Sequence, residues 1–254
     1  MIILAHRGLN HYIKANAVIE SNVKSNIKTD IERKNAFSHN ENNAIKRNIE
    51  SNIKAHKSGN SLQNFYESFS LGYGVETDIR DYCLDLVISH DMADSNAESF
   101  ETFLQTYQKH GNNLTLALNI KADGLCVPLK KALQQYCIGN YFVFDMSLPD
   151  MLSYIKHDMN VFTRQSEYEK IPALYDKAKG VWLDEFCNHW ISEEIILKHL
   201  DKKKQICIVS PDLHKRDFWR EWEEYRYIIN KHKLHNKIML CTDYTQAAKE
   251  FFHG

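Results

Sequence analysis

Apolar residues come in short runs along this chain, and a polar residue closes nearly every run. Runs of β character cover residues 2–5, 74–79, 116–120, 141–145, 160–163, 180–183, 205–209 and 237–242, with a further run at 84–89. Between them, segments with apolar residues at helical spacing cover 63–71, 97–110, 128–136, 149–156, 193–200, 216–231 and 245–252. Strand and helix in alternation predict a parallel sheet, because a parallel connection needs a crossover. Eight such units in a chain of 254 residues predict an α/β fold of the closed (β/α)8 TIM-barrel type, with the 84–89 run as an extra hairpin strand after the second barrel strand.

The residues closing the runs carry the chemistry. His6, Glu76, Asp78, Asn119, Lys121, Asp145, Arg164, Asp184 and Asp243 all end or follow an apolar run, which is where a barrel of this kind gathers its active site. Glu76 and Asp78 are two residues apart, so a strand carries both carboxylates on one face. Adjacent like charges are costly unless a cation lies between them. His90, arriving on the next strand, adds a proton-transfer group. The combination reads as a metal-assisted catalytic site.

Composition narrows the choices. With 254 residues and 43% hydrophobic content, the chain is expected to form one barrel domain over 1–254. A net charge of −1 gives no whole-chain case for nucleic acid. No apolar run approaches the roughly 20 residues that span a bilayer. Residues 1–5 are apolar but too short for a secretory leader and are followed at once by His6 and Arg7. The six cysteines form no Cys-x-x-Cys pair, so reduced, mostly buried thiols in a cytoplasmic protein are expected.

Residues 9–60 break the pattern. They are rich in Asn, Ile and Lys and contain a near-repeat, Ile19-Glu20-Ser21-Asn22-Val23-Lys24 against Ile49-Glu50-Ser51-Asn52-Ile53-Lys54. Apolar residues recur every four positions in each half. Asn and β-branched Ile are poor helix formers, so the expectation is an insertion after strand 1 that is helical or disordered. Nine Lys/Arg stand against five Asp/Glu here. The expected roles are a solvated stripe, a lid, an oligomer contact or a peripheral contact with an anionic membrane surface.

With that insertion set aside, the motifs run in order: Ala5-His6-Arg7-Gly8, then Gln63-Asn64, then Glu76-Thr77-Asp78, then Ser89-His90-Asp91, then Asn119-Ile120-Lys121 and finally Thr242-Asp243. This order resembles the glycerophosphodiester phosphodiesterase family, a branch of the phosphatidylinositol-phospholipase-C-like barrels. The resemblance implies that His6 and His90 are the general acid/base pair. It implies that Arg7 and Lys121 contact the substrate phosphate, and that Glu76, Asp78 and Asn119 hold one divalent cation, Mg2+ or Ca2+. It further implies a small phosphodiester substrate, cleaved to an alcohol and glycerol 3-phosphate. Arg164 is a further expected phosphate contact, and Trp182 and Asp184 are possible pocket residues. Two departures stand out: Gln63 replaces the family's glutamate, and Asn119 replaces an acidic metal ligand. Alternatives are a non-catalytic phosphate- or sugar-binding relative and a membrane-surface enzyme of the lysophospholipase D or phospholipase C type.

Overall fold

Eight parallel strands are arranged as a barrel, most of them falling on the apolar runs. A computed structural model of the chain describes residues 1–9, 59–111 and 113–253. The strands are β1 (Ile2–His6), β2 (Gly74–Tyr82), β3 (Asp85–Ile88), β4 (Glu98–Ser99), β5 (Leu116–Ile120), β6 (Tyr141–Phe144), β7 (Phe162–Ser166), β8 (Gly180–Asp184), β9 (Gln205–Val209) and β10 (Ile238–Thr242). β1 lies between β10 and β2, β2 continues to β5 and β6, and β7, β8, β9 and β10 follow in sequence. The last seam, between β6 and β7, is a single parallel bridge from Val143 to Val161. There the Val143 N–H donates to the Asn160 carbonyl at 2.8 Å. β3 and β4 extend β2 as an antiparallel flap outside the ring.

The helices are α1 (Leu62–Ser70), α2 (Phe100–His110), α3 (Cys126–Gln135), α4 (Leu148–Lys156), α5 (Glu193–Asp201), α6 (Trp219–His232) and α7 (Thr245–His253). Four begin on a serine whose hydroxyl accepts from a backbone N–H three residues on: Ser61, Ser99, Ser147 and Ser192. The β7–β8 connection carries only a three-residue turn of 3-10 helix, Tyr175–Lys177.

Apolar side chains alternate along each strand between two layers. Outward residues such as Val75, Leu116, Val181, Ile206 and Leu240 pack under the helices. Inward residues fill the barrel with aromatic rings. Phe142 stacks on Phe162 at 3.9 Å between centroids, and Phe144 stacks on Trp182 at 4.0 Å. Gly180 makes room for this plug, since a Cβ there would stand 2.4 Å from Phe162 Cζ. The inward positions above the plug carry polar groups.

Several expectations are corrected. β2 runs past Ile79 to Tyr82 because β3 pairs with it, so Glu76 and Asp78 lie within the strand and not at its end. β7 is shifted towards the C-terminus of the expected run, which puts Arg164 inside it. Glu98 and Ser99 pair with β3 instead of opening the helix, which starts at Phe100. The cysteines are free, yet only Cys126, Cys207 and Cys241 are buried; Cys83, Cys137 and Cys187 are exposed in turns and loops. The expectations for residues 9–60 fall outside the described residues, apart from Leu9, Gly59 and Asn60. Among the described residues, no helix is long and apolar enough to cross a membrane.

The aromatic plug should carry much of the barrel's stability. Phe142→Ala is expected to lower the unfolding free energy by about 3–5 kcal/mol, read from the urea midpoint. A loss under about 1 kcal/mol would show that the rings do not form a tightly packed interior.

Candidate active site at the carboxyl mouth of the barrel

The end of β1 sets the site. Arg7 and Gly8 both have positive φ, 53° and 79°. Glycine is required at the second position, because a Cβ on Gly8 would stand 2.9 Å from Asn64 Cβ and 3.0 Å from Phe65 Cδ1 of α1. This tight turn aims the Arg7 backbone N–H at Glu76 Oε2, 3.3 Å away, and brings its Nε to 3.1 Å from Asp78 Oδ2. Parallel pairing then sets β1 against β2, with His6 in register with Glu76, and β2 against β5, with Asp78 in register with Asn119.

Glu76 is 2% exposed and Asp78 is fully buried. Three groups answer the Asp78 charge: Arg7, Lys121 Nζ at 3.2 Å from Oδ1, and the Asn60 amide, which donates to Oδ2 at 2.8 Å. Asn60 is itself held by the Thr77 hydroxyl, which donates to its Oδ1 at 2.8 Å. Glu76 has less help. Burial first and the Asp78 charge second push its pKa up to about 7.

His6 Nδ1 meets Asp243 Oδ1 at 3.0 Å, and its Nε2 faces Glu76 Oε2 at 3.9 Å. Burial opposes charge on this imidazole. The Asp243 hydrogen bond and the Glu76 carboxylate outweigh it, and the His6 pKa is raised. Asp243 is held in turn by Asp212, whose carboxylate accepts from its backbone N–H and from the Thr242 hydroxyl.

The neighbouring part of the rim is a charged cluster around Arg164. Its guanidinium bonds Asp145 and lies 3.8 Å from both Asp184 and Glu169. Asp184 also meets His214 Nε2 at 2.6 Å. A cavity of about 310 Å³ runs between the two groups, lined by Asn119, Lys121, Asp145, Met146, Thr163 and Arg164 among others.

The structure thus brings together His6, Arg7, Glu76, Asp78, Asn119 and Lys121, with Arg164 across the cavity and Asp184 beside Arg164. His90 stands on the loop after β3, half exposed, with its Nδ1 2.8 Å from Asp91 Oδ1 and its carbonyl held by Arg80. The Asp91 carboxyl is held low first by its His90 hydrogen bond. Trp182 is 4% exposed and belongs to the aromatic plug beneath the site. Reasoning from sequence passed over Asn60, Asp212 and His214 and assigned no role to Asp243. The signals for Asp243 were its position after the last apolar run and its place in the Thr242-Asp243 motif; Asn60, Asp212 and His214 lie outside the ordered motifs.

A divalent cation suits the donors present. Glu76, Asp78 and Asn119 offer oxygen only, which favours Mg2+ or Ca2+. Asn119 is 8% exposed, and its Oδ1 is buried with no hydrogen-bond partner. A buried acceptor on the strand position paired with Asp78 lacks a positive partner, which a cation would provide.

No family model matches the chain, and no curated protein does. Solved structures do. A glycerophosphodiester phosphodiesterase from Agrobacterium tumefaciens superposes with a TM-score of 0.56 at 10% identity, over 99% of this chain and 98% of that one. The enzyme of that name from Thermotoga maritima gives 0.54 at 11% identity, over 98% of both chains. An Oleispira antarctica phosphodiesterase, solved in complex with the product sn-glycerol-3-phosphate, gives 0.56 at 12% identity over 77% of this chain and 92% of that one. At these identities the likeness is one of fold. It agrees with the barrel and with the family that the ordered motifs resemble.

The raised pKa of Glu76 has a signed consequence. The folded state binds this proton more tightly than the unfolded state, so its contribution to stability is present below the unfolded value and is lost as pH rises towards about 7. His6, also raised, acts in the same direction. Glu76→Gln is therefore expected to flatten the fall in melting temperature between pH 5 and pH 7.5, measured without divalent cation. An unchanged slope would show that Glu76 is ionised throughout that range.

Proposed function

We propose that this chain is a metal-dependent phosphodiester hydrolase that cleaves glycerophosphodiesters to an alcohol and glycerol 3-phosphate. The observation that carries the reading is the convergence on Asp78 of Arg7 and Lys121, beside His6 backed by Asp243 and the orphaned Asn119 oxygen. The fold shared with glycerophosphodiester phosphodiesterases supports it. So does the glycerol 3-phosphate bound as product to one structural neighbour.

In this reading Glu76, Asp78 and Asn119 hold the cation, Mg2+ or Ca2+. When bound, it neutralises phosphate charge and polarises the phosphorus–oxygen bonds. Arg7 offers paired donors to phosphate oxygens, and Lys121 adds a point charge at the same place. His6, with Nδ1–H directed at Asp243, presents Nε2 to the reacting atoms. His6 and His90 divide the proton transfers: one takes the proton from the attacking water or vicinal hydroxyl, and the other protonates the leaving alkoxide. The 310 Å³ cavity beyond Lys121 receives part of the substrate, with Arg164 and Asp145 on its far side. The barrel is one catalytic domain interrupted by residues 9–60, and six free cysteines accord with a reducing, cytoplasmic setting.

One observation favours a second reading. Asn119 brings no charge where the resembled family has an acid, so a phosphate-binding barrel without catalysis is the rival. Release of glycerol 3-phosphate from glycerophosphocholine, with Mg2+ or Ca2+ against EDTA, separates the two. Cation-dependent turnover is expected, with His6→Ala and His90→Ala each lowering kcat roughly 10²–10⁴-fold. Asn119→Asp is expected to lower the half-saturating Mg2+ concentration by about tenfold, equivalent to roughly 1.4 kcal/mol. If neither glycerophosphocholine nor bis(4-nitrophenyl) phosphate is hydrolysed with either cation, while phosphate binding survives in His6→Ala, the enzymatic reading fails.

A further inference from the structure

A second group of ligating side chains lies outside the mouth constellation. Glu185 directly follows β8, His189 sits in the loop after it, and Glu221 is in the first turn of α6. One donor atom from each lies within 4.8 Å of the other two. His189 Nδ1 stands 3.0 and 3.2 Å from the two Glu185 oxygens and 3.6 Å from Glu221 Oε2. Donors in a tetrahedron around Zn2+, each about 2.0–2.1 Å from the ion, are roughly 3.3 Å apart. The observed spacings straddle that edge length.

A separate observation points to a missing partner. Glu221 is only 6% exposed; Arg216 binds its Oε1, but its Oε2 is buried with no hydrogen-bond partner. It faces Glu185, a second carboxylate and one fully withdrawn from water. Two buried carboxylates in contact must hold either a proton or a cation between them.

The surroundings match those of a metal site. The other His189 nitrogen, Nε2, meets the Glu224 carboxylate at 3.1 Å. Carboxylate-backed imidazoles of this kind are the usual arrangement behind a metal-bound histidine. Glu185 is oriented by the backbone N–H groups of Trp190 and Ile191, both at 2.6 Å, and by the Tyr225 hydroxyl at 3.0 Å. The first ring of donors is thus fixed by a second ring of hydrogen bonds.

We propose that Glu185, His189 and Glu221 bind a divalent transition cation of the zinc class, with water as fourth ligand and Glu224 fixing the imidazole. One nitrogen among oxygen donors favours such an ion over Mg2+ or Ca2+. Binding displaces the protons on His189 and Glu221. The cation ties the loop after β8 to α6, next to Asp184 on the barrel rim. This site is distinct from the Glu76–Asp78–Asn119 set, and the inference does not rest on the phosphodiesterase reading.

The test is a Co2+ titration of the full-length chain in millimolar Mg2+, with Co2+ as the spectroscopic substitute for Zn2+. About one equivalent is expected to give the visible absorption of tetrahedral Co2+ without a near-ultraviolet thiolate band, and Zn2+ should displace it. Glu221→Gln should abolish the band, and Glu224→Gln, on the exposed side, should weaken Co2+ binding about 10–100-fold. Absence of the band in the unsubstituted chain overturns the proposal. So does a band that survives Glu221→Gln, or one that carries thiolate character. Should Glu221→Gln fail to fold, His189→Ala on the exposed loop decides, since a Co2+ band that survives that substitution overturns the proposal.

Discussion

Two carboxylates on one face of β2 set the terms for the whole barrel mouth. Glu76 and Asp78 are withdrawn from water within one strand, where alternation leaves no other residue between them on that face. Buried charge of one sign must be matched or neutralised. The chain meets this demand from three directions. The strained Arg7–Gly8 turn of β1 brings a guanidinium, the residue after β5 brings a lysine, and Asn60 brings an amide. The remaining imbalance shows in Glu76, held near neutrality in pH, and in His6, biased towards its charged form. A phosphodiester and a divalent cation are complementary to such a site. The cationic side chains suit the anion, and the carboxylates suit the metal.

The barrel interior makes this arrangement possible. Stacked Phe142, Phe162, Phe144 and Trp182 exclude water from below, so the polar layer above them is open only towards the mouth. The same plug explains why Trp182, near the end of an apolar run in sequence, lies beneath the site and not in its wall. The ring is weakest between β6 and β7, where one bridge joins them. Asp145 leaves β6 there with a positive φ of 65° and reaches Arg164 on β7. A side-chain ion pair thus spans the seam where the strand ladder is shortest, and the cavity beside Lys121 opens at that place.

Much of this was legible in the chain, and the reason is physical. Barrel strands are short, apolar and buried on both sides, so their runs stand out, and each polar residue that closes a run is forced to the mouth. His6, Asn119 and Asp184 were found in that way. The unread part depends on pairing that no local pattern records. β2 extends because β3 folds back on it, and that moved Glu76 and Asp78 inside a strand. Asn60 reaches Asp78 from the far end of a long Asn-rich segment. Asp212 and His214 come from the turn after β9, where their own neighbours give no periodic signal. His90 shows the limit from the other side. Its motif is plain in sequence, while its position on a loop outside the ring leaves its imidazole bonded to Asp91 alone among the described residues.

The mouth and the Glu185 cluster pose the same electrostatic problem and answer it differently. At the mouth the compensating groups are long side chains, Arg7 and Lys121, each about a fifth to a third exposed and able to turn from Asp78 to an arriving phosphate. Around Glu185 and Glu221 they are backbone N–H groups, a tyrosine hydroxyl, an imidazole set between carboxylates and the Arg216 guanidinium. Both places nevertheless keep buried oxygens without a hydrogen bond, Asp78 Oδ1 and Asn119 Oδ1 in the first and Glu221 Oε2 in the second. An acceptor withdrawn from water and left alone costs roughly 1–3 kcal/mol. At either place a cation would remove that cost. A mobile first set suits a cation that works together with a substrate, and a rigid second set suits one that only holds the rim in place.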